Sequence, residues 1–99
     1  MLYANIGEDA PESLEKRLAV RAEHLARLKE LADAGRLVLA GPFPAIDSPD
    51  PGPAGFAGSL IVAEFASLEE AEAWAAEDPY VTTGVFARAN VLPFKHVLP

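Results

Sequence analysis

The chain has no cysteine, one methionine, one tryptophan and two histidines among its 99 residues. The lack of cysteine rules out disulfides and thiolate chemistry and leaves the redox compartment open. His24 and His96 stand most of a chain apart, which is no recognised metal-ligand spacing, so neither a metal nor any other cofactor is expected. Basic residues are also scarce: 8 Lys and Arg against 15 Asp and Glu give a formal net charge of −7. That balance repels phosphate backbones and anionic lipids, which argues against nucleic acid and membranes as partners. No apolar run approaches the roughly 18 residues of a membrane span. Gly52-Pro53-Ala54-Gly55 lacks the lysine and following helix of a phosphate-binding loop. The segment Met1 to Ile6 has no basic stretch and soon reaches Glu8 and Asp9, unlike a secretory signal, so a cytoplasmic setting is expected.

Half the chain is hydrophobic (51%) and only 23% is charged, which fits one domain over residues 1–99 with apolar surface left for a partner. Residues 1–6 read as a strand. A helix is expected from Ser13 to about Ala34, as one piece or as a short turn over Ser13 to Val20 followed by a longer piece, with Gly35 as its stop. Arg36 to Ala40 reads as a short strand ended by Gly41-Pro42, and the proline-rich stretch from Pro42 to Gly55 as a long loop. Gly58 to Phe65 is the clearest strand. Ser67-Leu68-Glu69-Glu70 matches a capping box opening a second helix, which Pro79 obliges to end near Glu77. Asp78-Pro79 then reads as the start of a brief turn, and residues 85–92 as a last strand. The order βαββαβ predicts an α+β, ferredoxin-like fold with a four-stranded antiparallel sheet covered by helices on one face. Val38 and Ala40 alternate with Leu37 and Leu39, so both sheet faces are apolar, and a two-fold homodimer burying the uncovered face is expected.

Within the first helix, Leu14, Leu18, Leu25, Leu28 and Leu31 recur at helical spacing and predict one apolar arc. His24 and Arg21 project into that arc, while Glu15, Lys16, Glu23, Arg27, Lys29, Glu30 and Asp33 fall mostly on its flanks and far side. A buried charge needs a partner, and Asp78 is the candidate.

With Arg21-Ala22-Glu23-His24-Leu25, Gly35-Arg36-Leu37, Ala40-Gly41-Pro42, Gly55-Phe56-Ala57-Gly58-Ser59, Asp78-Pro79-Tyr80 and Pro93-Phe94, the chain resembles the YciI-like (YCII-domain) family of small bacterial proteins. The pieces are short, but their order and spacing cover almost the whole length. The resemblance implies a dimeric α+β barrel with a His-Asp pair in a cleft, mapping here onto His24 and Asp78. It also implies a scaffold capable of proton transfer, since a related protein is a dehydrochlorinase.

His24 is thus the candidate general base or acid, its ordinary pKa of about 6.5 lying near working pH; a core histidine bonded to a backbone carbonyl is the alternative. Asp78 can orient the imidazole, cap a helix, or do both. Arg21 either holds a substrate oxygen or pairs with Asp78 or Glu64. Ser59 is expected to bind substrate rather than act as a nucleophile, because no Gly-x-Ser-x-Gly elbow is present. Phe43 and Tyr80 read as pocket wall, and the 42–55 loop as a wall or lid over His24. The reading is a cofactor-independent lyase, isomerase or hydrolase acting on a small polar or aromatic metabolite. A non-catalytic binding or dimerisation domain is the competing reading.

Overall fold

The computed structural model describes all residues from Met1 to Pro99. The elements are β1 (Leu2–Asp9), α1 (Leu14–Asp33), β2 (Leu37–Pro44), a 3-10 turn (Gly52–Ala54), β3 (Phe56–Glu64), α2 (Leu68–Ala76), α3 (Pro79–Thr82) and β4 (Phe86–Phe94). The four strands form one antiparallel sheet in the order β2-β3-β1-β4. This is the expected ferredoxin-like α+β arrangement, with β1 and β3 central and β2 and β4 at the edges.

Strand alternation sorts the side chains. Tyr3 opposite Ala63, and Asn5 opposite Ile61, turn toward the helices. There Tyr3, Ile61, Ala63 and Phe65 pack with Leu28 and Leu31 of α1 and Ala71 of α2. The other face carries Ala4 opposite Val62 and Leu92, Leu39 opposite Val62, and Phe43 opposite Gly58. No helix covers that face, and Leu39, Phe43, Leu92 and Phe94 lie exposed on the protein surface.

Several boundaries differ from expectation for identifiable reasons. α1 is continuous, without a break near Val20. β2 runs through Gly41-Pro42 to Pro44, because an edge strand tolerates residues that cannot donate on its outer side. The proline-rich loop is correspondingly shorter and contains the 3-10 turn. The capping box forms, with Ser67 Oγ accepting from Glu70 N–H at 3.1 Å, but Glu70 reaches back one residue further than expected, to the Ala66 N–H at 3.0 Å.

The buried line of α1 is also rotated. At about 100° per residue, Arg17, His24, Leu28 and Leu31 lie within about 60° of one another, whereas Leu18 and Leu25 stand about 80–100° from Arg17. Leu18 and Leu25 are accordingly 59% and 41% exposed, not core. The rotation follows from Arg17, whose guanidinium is tied to β1 and β3 by hydrogen bonds described below.

Candidate active site

Asp78 sits at the junction of α2 and α3, where Pro79 fixes the first turn of α3. Its Oδ1 caps that turn, accepting from the Tyr80 N–H at 2.9 Å. The same carboxylate meets Nδ1 of His24, at 2.9 Å from Oδ1 and 3.0 Å from Oδ2. It also accepts from Arg27 Nη1 at 3.2 Å. A carboxylate accepts only, so the neutral form of the His24 ring carries its proton on Nδ1 and its lone pair on Nε2. Both side chains are buried. The His24 ring stacks on Tyr80, with centroids 3.9 Å apart and planes within 10°, so the imidazole is held on its edge by a carboxylate and on its face by an aromatic ring.

The arginine that pairs with Asp78 is therefore Arg27, one of the residues expected at the solvated flank. It also donates to the Trp74 carbonyl oxygen at 2.7 Å and lies over the Trp74 ring, 4.2 Å from its centroid. Arg21 has no acid partner in the fold: it pairs with neither Asp78 nor Glu64, and stands exposed at the cleft rim.

The sequence reading missed Arg17. Its Nε and Nη2 grip the two oxygens of Asp9 at 3.0 and 2.7 Å, and Nη2 also reaches the Gly58 carbonyl oxygen at 3.1 Å and Ser59 Oγ at 3.0 Å. Ser13 Oγ donates to Asp9 at 3.0 Å and completes the cluster. The position of Arg17 seven residues before His24, hence on the same side of a helix, was the available signal. Asp9, the last residue of β1, carried none.

These elements enclose a cleft of about 210 Å³ between α1, β2, β3 and α3, lined by Arg17, Arg21, His24, Ser59 and Tyr80 among apolar neighbours that include Leu28, Pro42 and Ile61. Burial raises the Tyr80 phenol above its ordinary 10.0, although the charges of Arg17 and Arg21 pull it down. The phenol therefore stays protonated at neutral pH. Phe43 does not join the cleft of its own chain: its register opposite Gly58 turns it to the open sheet face, 42% exposed, while its neighbour Pro42 lines the cleft. Ile46 also lies exposed outside the cleft, so within one chain Phe43 and Ile46 form no lid over His24. No three His, Cys, Asp or Glu side chains gather as they would around a metal ion. No helix is long and apolar enough to cross a membrane. Chemically, the arrangement offers an oriented imidazole, a neutral phenol and two guanidinium groups around a small space.

A family model for the YCII-related domain matches residues 1–95. Protein YciI of Escherichia coli O6:H1 is 60% identical over 97 residues, spanning 98% of this chain and 99% of that one. A Haemophilus influenzae protein is 55% identical over the same length and coverage. Among solved structures, the 5-chloro-2-hydroxyhydroquinone dehydrochlorinase of Burkholderia phenoliruptrix AC1100, in complex with 2,5-dihydroxybenzoquinone, superposes with a TM-score of 0.84 at 28% identity over 98% of this chain and 96% of that chain.

Proposed function

Since the chain belongs to the YCII-related domain family, we propose that it is a small-molecule enzyme that needs no cofactor, in which His24 transfers a proton and Asp78 fixes its tautomer. One observation carries this reading: His24 Nδ1 is held 2.9 Å from a buried carboxylate while the same ring lines a cleft. A core histidine satisfied by a backbone carbonyl would need neither the carboxylate nor the opening. The fixed Nδ1–H leaves Nε2 free to take a proton from substrate and return it later, and a positioned group of this kind contributes about 10²–10⁴-fold to rate. Tyr80 sets the ring plane, and Ser59 and Arg21 supply polar contacts at the cleft wall and rim.

The dehydrochlorinase neighbour supports a lyase-type reaction in which a base removes a proton and a leaving group departs with its electron pair. The proposal includes a two-fold homodimer, supported by the uncovered apolar sheet face, and a cytoplasmic setting. The test is chloride release from 5-chloro-2-hydroxyhydroquinone, together with exchange of solvent deuterium into oxygenated aromatic and keto compounds. Wild type is expected to catalyse one of these, and His24→Gln to lose at least about 10²-fold. Equal rates for the folded His24→Gln protein would overturn the proton-transfer role.

A further inference from the structure

Arg17 is buried, yet one of its nitrogens has no acid or carbonyl partner. Nε and Nη2 are taken up by Asp9, the Gly58 carbonyl and Ser59. The guanidinium is further packed against the Tyr80 ring, with Cζ 4.7 Å from its centroid. The guanidinium also makes a side-chain hydrogen bond with the Tyr80 phenol. Nη1 has no acid or carbonyl partner in the chain, and it is not sealed away, because Asn5 Oδ1 is the one buried side-chain nitrogen or oxygen without a partner. Arg17 lines the cleft. A cation immobilised on one edge by Asp9 and on one face by Tyr80 thus forms part of the wall beside His24.

The charges around that space point the same way. In a chain of net charge −7, the cleft lining contains Arg17, Arg21 and His24 and no aspartate or glutamate. Asp9 balances Arg17, and Asp78 balances Arg27. Arg21 has no such partner, so its single positive charge is left over at the rim. The volume of about 210 Å³ limits the occupant. A cavity of roughly 150 Å³ is known to hold benzene, so this one fits a single ring with one or two small substituents. Leu28, Pro42 and Ile61 give that ring apolar walls.

We propose that the cleft selects a ring-sized monoanion, a carboxylate, enolate or phenolate, with Arg17 Nη1 as the fixed donor to its oxyanion and Arg21 as the mobile neutralising charge. This deepens the reading of the same cleft as the reaction site and rests on it. A guanidinium already positioned by Asp9 and Ser59 loses little freedom on binding, and its bonds to an anion are stronger than those to a neutral oxygen.

The probes are benzoate, benzamide and benzylamine, titrated into isotope-labelled protein and followed by NMR, with the arginine Nη signals observed directly. Benzoate is expected to bind at least about tenfold more tightly than benzamide, shifting the Arg17 Nη resonances, while benzylamine does not bind. Arg21→Gln should weaken benzoate several-fold and leave benzamide unchanged. The double variant Arg17→Gln/Asp9→Asn removes both members of the buried pair, so that no lone charge remains, and should abolish the preference for benzoate. If that variant does not fold, the wild-type Arg17 signals still decide. Equal affinity for benzoate and benzamide, binding of neither, or benzoate binding with those signals unmoved would overturn the proposal. A benzoate preference that persists in His24→Gln, when wild type shows neither turnover nor exchange, would keep the anion site and discard the enzyme.

Discussion

Replacing Asp78 tests how much one carboxylate does. Its Oδ1 accepts from both the Tyr80 N–H and His24 Nδ1 at 2.9 Å, and its Oδ2 takes Arg27 at 3.2 Å. Asparagine keeps an oxygen at the Oδ1 place and so keeps the cap and the histidine contact, but it turns a donor toward Arg27. Arg27 is partly exposed and can turn to water. The expected cost of Asp78→Asn is therefore one charged hydrogen bond, about 1.5–3 kcal/mol. Alanine loses all three contacts and leaves the partners facing an apolar gap in a site only 1% exposed. Its expected cost is about 3–5 kcal/mol. For a domain of this size each kcal/mol lowers Tm by about 4–8 °C, so the two variants should separate clearly in calorimetry. Long-range nitrogen NMR of His24 supplies the second readout. Wild type and Asp78→Asn should show protonated Nδ1 and unprotonated Nε2, whereas Asp78→Ala should show a tautomer mixture. A loss of only about 1 kcal/mol in Asp78→Ala, the worth of a helix cap alone, would refute the reasoning. So would an alanine variant whose His24 keeps the Nδ1–H tautomer.

Three further outcomes follow from the same geometry. Burial raises the Tyr80 phenol above 10.0, so an unfolded chain loses that proton first; stability from this group is complete below pH 10 and falls as pH rises through the higher folded value. Thermal melts from pH 8 to 11 should show a steeper alkaline loss for wild type than for Tyr80→Phe, and parallel curves would contradict the burial argument. Sedimentation at micromolar concentration should give a dimer for wild type and a monomer for Phe43→Asp/Leu92→Asp, whose substitutions lie on the open sheet face; a wild-type monomer would remove the dimer from the proposal. Gly58→Ala would drive a methyl group into the Gly7 carbonyl oxygen of the neighbouring strand, so it is expected to cost more than about 3 kcal/mol, and an unchanged Tm would contradict that close approach.

Much of this protein can be read from its residues in order. Local chemistry decides the order of strands and helices, the Ser67 cap and the Asp78-Pro79 turn, because each depends on neighbours within a few positions. The pairing of His24 with Asp78 could be anticipated because a histidine on a buried helix side needs a partner and few were available. Other features depend on contacts between distant segments. Arg17 outranks Leu18 for the interior because Asp9, Gly58 and Ser59 meet it there, and those residues converge only when β1 and β3 pair. That single anchor turns α1, exposing Leu18 and Leu25 and setting Arg21 at the rim. Likewise Pro42 lines the cleft and Phe43 turns away from it because β2 continues along β3 as an edge strand, and strand alternation sends adjacent residues to opposite faces. The sequence determined which groups were available for chemistry near His24. Long-range pairing and the rotation of one helix decided which of them surround it.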